Sequence, residues 1–215
     1  MSLRDVEDRI RGACVRAGRD RSDVTLVAVS KGQSIEIIRR HYDQGHRDFG
    51  ENRAQELRDK VDELPADIRW HFVGPLQSNK VRVVRPAVVV LHSMDRESLA
   101  LAWLKGPGQP PPVYLQVNIG AEDQKSGVSR ADAPRFCGRL LSLGIDVVGL
   151  MAIPPLAKDP EAARPHFSSL RELRDEIVVE HPSVVGLSMG MTDDFEAAIS
   201  EGATSIRVGR AIFAD

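Results

Sequence analysis

Lys31 ends the apolar run Val24-Thr25-Leu26-Val27-Ala28-Val29-Ser30-Lys31, which places a primary amine at the tip of a buried strand. Strand side chains alternate between faces, so Val27, Val29 and Lys31 share one side while Leu26, Ala28 and Ser30 share the other. If the two valines pack inward, Lys31 reaches the open end of the same interior. Partial desolvation there would lower its pKa and favour the neutral amine that condenses with aldehydes. A strand-end lysine that extends its ammonium into solvent gives the same pattern, and this motif alone does not decide between the two.

A second group of candidates lies near the C-terminus. Ser188-Met189-Gly190-Met191-Thr192-Asp193 has a hydroxyl near each end and a glycine through which backbone can approach a ligand. A helix predicted over 193–202 would aim its first N–H groups at the same place. Arg207-Val208-Gly209-Arg210 adds two cations and another glycine. Together these form a candidate cradle for a phosphate dianion. Taken one by one, Ser188 and Thr192 also serve as helix caps and Gly209 as a turn.

These groups need elements to bring them together. Short apolar runs alternate with helix-periodic segments along the whole chain, the pattern of βα units around a parallel sheet. Strands are predicted at 24–31, 48–52, 69–74, 88–93, 113–119, 145–153, 184–188 and 204–208. Eight strands indicate a single α/β domain over 1–215: a (β/α)8 TIM-type barrel at about 24–213, preceded by an extra amphipathic helix at about 2–18. An open doubly wound sheet is the alternative, but no G-x-G-x-x-G follows the first strand. In a barrel the C-terminal strand ends build the site, loops after strands seven and eight often hold phosphate, and strands one and eight are neighbours. Lys31 and Arg207 would then face one ligand, an aldehyde bearing a phosphate. Pyridoxal 5'-phosphate (PLP) has that description, and its ring nitrogen needs a partner, for which Arg207 is the ionisable candidate.

Composition narrows the classes. The 29 Lys+Arg against 31 Asp+Glu provide no global field for nucleic acid or anionic membrane. No apolar run approaches the roughly 18 residues that span a bilayer. The N-terminus has no signal-like apolar core, and the two cysteines, Cys14 and Cys137, have neither disulfide nor metal spacing. A reduced, cytoplasmic setting follows.

The motifs resemble the pyridoxal-phosphate homeostasis proteins, whose barrel is similar to the N-terminal domain of alanine racemase. The likeness runs from Val24 to Phe213 through seven ordered motifs. Ala28-Val29-Ser30-Lys31, Phe49-Gly50-Glu51-Asn52-Arg53-Ala54-Gln55-Glu56 and the stretch from Trp70 to Lys80 come first. Lys125-Ser126-Gly127, Leu150-Met151-Ala152-Ile153-Pro154, Leu187-Ser188-Met189-Gly190-Met191 and the stretch from Arg207 to Phe213 follow. The resemblance implies PLP as cofactor, held on Lys31 as an internal aldimine. It implies Arg207 near the pyridine nitrogen, with Ser188, Gly190, Thr192, Gly209 and Arg210 about the phosphate and Asn52 beside the cofactor. It further implies a monomer that keeps PLP and amino-acid pools in balance, with PLP-dependent apo-enzymes as candidate partners. Thr192 stands where the family usually has serine, which keeps the hydroxyl. Gly32-Gln33-Ser34 replaces the usual Thr-Lys-Pro and leaves open any role for a second lysine. The chain ends at Asp215 without the usual glycine after Phe213, which bears only on the C-terminal cap.

The alternative function is a PLP-dependent amino-acid racemase. Two-base racemization needs a group on each face of the substrate, and the two tyrosines, Tyr42 and Tyr114, fall on a predicted helix and near the start of strand five. A carrier or regulator without robust catalysis is the preferred reading. A Schiff-base aldolase would need a carboxylate base, for which Glu51 is the sole, poor candidate. His71 has no acidic partner assignable from sequence, so it reads as closing a hydrogen-bond network. Trp70 and Phe72 read as packing, and the charged run 56–63 as a solvated helix face.

Overall fold

Alternation along the strands sorts side chains into two unlike environments. The computed structural model describes residues 2–122, 124–156 and 159–213. Eight parallel strands close on themselves: β1 (Thr25–Val29), β2 (Asp48–Glu51), β3 (Arg69–Phe72), β4 (Val90–Met94), β5 (Val113–Asn118), β6 (Val147–Met151), β7 (Gly186–Ser188) and β8 (Ser205–Val208). β8 pairs with β1, placing Val27 opposite Arg207, and an irregular pairing of β4 with β5 completes the ring. The expected (β/α)8 barrel is what forms. A two-residue strand, Val128–Ser129, extends the sheet beside β5 and is too short to show a sequence period.

Outward positions such as Leu26, Ala28, Phe49, Trp70, Phe72, Leu91, Leu150, Leu187 and Ile206 enter one apolar shell with helix residues including Ile38, Leu57, Leu99, Leu140 and Leu170. Trp70 and Phe72 therefore pack, as expected. This shell is the main source of stability, at about 25 cal/mol for each Å² of apolar surface removed from water. The barrel interior instead carries buried polar side chains, among them His71, His92, Ser188 and Arg207.

Helix α1 (Leu3–Arg16) starts with a Ser2/Asp5 capping box and buries Val6, Ile10 and Ala13. Its Arg9 pairs with Glu196 and lies 4.6 Å from the Phe195 ring centroid, which fixes it against the barrel's last helices. Between strands run α2 (Ile35–Asp43), α3 (Ala54–Val61), α4 (Val81–Val84), α5 (Glu97–Leu104), α6 (Ala133–Ser142), α7 (Arg164–Glu180) and α8 (Phe195–Ser200), with α9 (Arg210–Phe213) last. Helix α8 is shorter than the predicted 193–202, because Asp194 turns its carboxylate back to accept the Met191 N–H at 2.6 Å. The C-terminal cap at Ala214 and Asp215 lies outside the described residues.

Candidate functional site

The C-terminal ends of the strands open into a cleft of about 480 Å³. Lys31 follows β1, Asn52 follows β2, Thr192 follows β7, and Arg207, Gly209 and Arg210 surround the end of β8; all line this cleft with Val29, Val73, Gly74 and Ile153. Six of the eight expected site residues thus come together. Ser188 and Gly190 lie outside the lining.

Lys31 keeps the expected parity but not the expected burial. β1 ends at Val29, two residues early, so Lys31 sits in a turn and is exposed. Among the described residues its amine has no hydrogen-bond or ion-pair partner. Asn52 Oδ1 is buried and likewise without a partner. Its close approach to the loop after β3 requires glycine there, since a Cβ on Gly74 would lie 2.5 Å from the Asn52 carbonyl oxygen.

The two glycines expected to admit a phosphate differ. A Cβ on Gly209 would meet Val29 at 3.6 Å, an ordinary contact, so the protein's own packing does not demand glycine and the bare backbone faces the cleft. Gly190 has φ +92°, and a Cβ there would lie 2.6 Å from the Ala198 Cβ. That glycine serves the turn and the seating of α8 instead of ligand approach.

Ser188 is also redirected. Its hydroxyl is fully buried below the cleft, where it accepts from Arg207 Nη1 at 2.6 Å and contacts His92 Nδ1 at 2.7 Å. His92 Nε2 lies 3.0 Å from His71 Nδ1, and His71 Nε2 lies 3.1 Å from Asp48 Oδ1. The end members fix the direction of this relay. Arg207 can only donate and the Asp48 carboxylate can only accept. With neutral imidazoles, Ser188 donates to His92, His92 to His71, and His71 to Asp48, a tautomer assignment made from the network. Burial, with His71 and Arg207 adding to it, holds His92 well below its ordinary value and therefore neutral. Burial alone would raise Asp48, but hydrogen bonds from His71 and Arg69 outweigh it and hold the carboxyl well below the usual range. Burial pushes the Arg207 guanidinium down to about 10, which leaves it charged at neutral pH. A second N–H of Arg207 donates to the Ala152 carbonyl at 3.0 Å.

Known proteins resemble this chain in sequence and fold. The family model for the alanine racemase N-terminal domain matches residues 3–215. The pyridoxal phosphate homeostasis protein of Aquifex aeolicus is 42% identical over 219 residues, covering 99% of this chain and 96% of that protein. The chain belongs to the pyridoxal phosphate homeostasis protein family. Among solved structures, a Bifidobacterium adolescentis protein of unknown function superimposes with a TM-score of 0.90 at 36% identity, covering 97% of this chain and 92% of that one. PipY of Synechococcus elongatus, solved with PLP bound, gives a TM-score of 0.79 at 34% identity, covering 96% of this chain and 99% of that one.

Within this family member, the network reading of His71 is the structure's arrangement, and its acidic partner is Asp48. The signal was available in part: His92 and His71 both sit at inward positions of short strands. Glu51, the weak candidate for an aldolase base, is fully buried outside the cleft lining, bonded to Ser30 and Lys60. The charged run on α3 is not wholly solvated, because Lys60 is only 6% exposed and pairs with Glu51.

Proposed function

We propose that this protein binds PLP in the cleft, with Lys31 as the point of covalent attachment, and holds the cofactor for PLP and amino-acid homeostasis. The observation that carries this reading is a partnerless amine sharing one cleft with a buried guanidinium, an open glycine backbone and an unpaired buried amide oxygen. The donor set fits the cofactor. Gly209, Thr192 and Arg210 would hold the phosphate, Arg207 would donate toward the ring nitrogen, and Asn52 would lie beside the ring. Ser188 would act below the cofactor by orienting Arg207. When bound, PLP supplies an aldehyde carbon that a primary amine attacks, forming a C=N bond with loss of water.

The racemase reading needs a second acid-base group at the cleft. Tyr42 donates to Asp67 at 2.6 Å, and the Tyr114 ring stacks on His92 at 4.7 Å below the cleft; neither lines it, and the acidic side chain that does, Asp193, follows Thr192 on the side we assign to the phosphate. A charged arginine at the ring nitrogen also opposes the ring protonation that makes PLP a strong electron sink. Both points favour holding the cofactor over turnover. We read the protein as a cytoplasmic monomer that exchanges PLP with apo-enzymes. Two buried, unpaired cysteines suit a reducing compartment, and no described helix is long and apolar enough to cross a membrane. The test is visible absorption of the PLP-loaded protein. Lys31→Ala is expected to abolish the band of the C=N bond, and an unchanged spectrum refutes the attachment. Racemization at roughly 1 per second or more, an ordinary enzymatic rate, refutes the carrier reading.

A further inference from the structure

The residues flanking Lys31 are tied down more firmly than Lys31 itself. Ser30 donates its hydroxyl to Glu51 Oε1 at 2.7 Å, its N–H to the Gly50 carbonyl at 2.9 Å, and its carbonyl accepts from Lys60 Nζ at 2.8 Å. On the other side, the Gly32 N–H donates to Glu56 Oε2 at 2.7 Å. Lys60 joins the two halves, donating to Glu51 at 2.6 Å and to Glu56 at 3.4 Å. Glu56 and Lys60 stand four residues apart on α3, so they share one face of that helix. Gly32 adopts φ +70° with open space around its Cα, so glycine serves the turn's conformation there and not its packing.

The energetics are uneven for a purely structural role. A buried ion pair repays its desolvation poorly, and an apolar pair of similar volume usually stabilises as well. Here Glu51 is fully buried, Lys60 nearly so, and Glu51 Oε2 remains buried without a partner. What the arrangement supplies that an apolar pair cannot is a set of directed bonds ending on the two peptide groups around Lys31. We propose that Glu51, Glu56 and Lys60 are positioning residues that hold the 30–32 turn so that Lys31, otherwise free, presents its amine to the cleft. This proposal rests on Lys31 being the attachment point and goes beyond it by assigning how that amine is aimed. The motif Gly50-Glu51-Asn52-Arg53-Ala54-Gln55-Glu56 then has a function on each side of the sheet. Asn52 faces the cleft, whereas Glu51 and Glu56 work from outside the cleft lining.

Glu56→Ala removes the acceptor of the Gly32 N–H at a partly exposed position, so the fold should persist. A Glu51→Met/Lys60→Met double variant removes the buried pair without leaving either charge alone. Rapid mixing with PLP would follow the visible band, while pyridoxamine 5'-phosphate, which has phosphate and ring but no aldehyde, would report cleft binding alone. Both variants should form the band about 10-fold more slowly than wild type, within the cost of misplacing a reacting group by about 1 Å, with pyridoxamine phosphate affinity changed less than about twofold. Glu56→Gln keeps an oxygen for the Gly32 N–H and should recover the rate to within about threefold. Unchanged rates in Glu56→Ala and the double variant overturn the clamp, as does an equal loss of pyridoxamine phosphate binding, which would mark general damage to the cleft. A wild-type band that survives Lys31→Ala instead overturns the attachment reading itself, so the two failures are distinguishable.

Discussion

Replacing Ser188 with alanine separates two uses of one hydroxyl. As a phosphate ligand its loss would weaken PLP binding and leave the cofactor-free protein untouched. In the structure the hydroxyl instead joins Arg207, 5% exposed, to His92, fully buried. Removing it leaves Arg207 Nη1 and His92 Nδ1 facing each other's side of a gap, each with its bonding need unmet. A buried polar group deprived of its partner costs about 1–3 kcal/mol, so the pair sums to about 2–4 kcal/mol once some local relaxation is allowed. Reversing the tautomers offers no escape while Asp48, acceptor only, anchors the far end. Urea unfolding of the cofactor-free protein reads the loss directly. With a slope on the order of 2 kcal/mol per molar urea, the midpoint should fall by roughly 1–2 M at unchanged slope. A midpoint shift worth less than about 0.5 kcal/mol, together with a PLP affinity at least 10-fold weaker, would refute the relay and restore Ser188 as a cofactor ligand.

Gly209→Ala should leave cofactor-free stability within about 0.5 kcal/mol, since the added carbon meets only an ordinary contact, yet weaken PLP binding at least 10-fold by equilibrium titration. Gly190→Ala should do the opposite, losing about 1–3 kcal/mol in urea unfolding through its left-handed φ and the collision with Ala198. Asp48 is depressed in the folded state, so the stability it contributes is complete above its unfolded value of about 3.9 and is lost as pH falls toward the folded value. Thermal unfolding below about pH 4 should therefore be less steeply pH-dependent in Asp48→Asn than in wild type, and parallel curves would refute that assignment.

The barrel was legible because period-2 strands and period-3.6 helices leave different marks, and all eight barrel strands fall where the apolar runs predict them. Lys31, Arg207 and the Gly209 turn were legible because a barrel rule says where strand ends meet. What failed to show was contact between particular side chains, whether far apart in sequence or near. His92 and Ser188 meet across 96 positions, so Ser188 read as a loop hydroxyl facing ligand when its hydroxyl is spent inside the barrel. Lys60 read as one charge among many on α3, because nothing local says that Glu51 waits beneath it. The exposure of Lys31 was missed for a smaller reason: the last ladder pair of β1 is Val29 with Gly50, and alternation carried on through Ser30 to Lys31 does not record where the strand stops.

The relay and the clamp divide the labour of one site. Arg207 stays charged at the cleft although it is buried; the Asp194 carboxylate favours that charge, but no described carboxylate makes a direct hydrogen bond to it. The carboxylate of Asp48 lies three hydrogen bonds beyond Ser188, through two imidazoles. A carboxylate in direct contact would draw the guanidinium's N–H groups toward itself. Distance through the relay leaves Arg207 oriented but with N–H groups to spare, since Ser188 and Ala152 account for two of its five. Such a donor can bond an unprotonated ring nitrogen and resists that nitrogen gaining a proton. Lys31 is arranged on the contrary principle, with its backbone fixed and its amine unengaged. A fixed donor at one end of the cleft and a free nucleophile at the other favour forming and reversing one C=N bond over stabilising a carbanion, which is the chemistry a cofactor carrier requires.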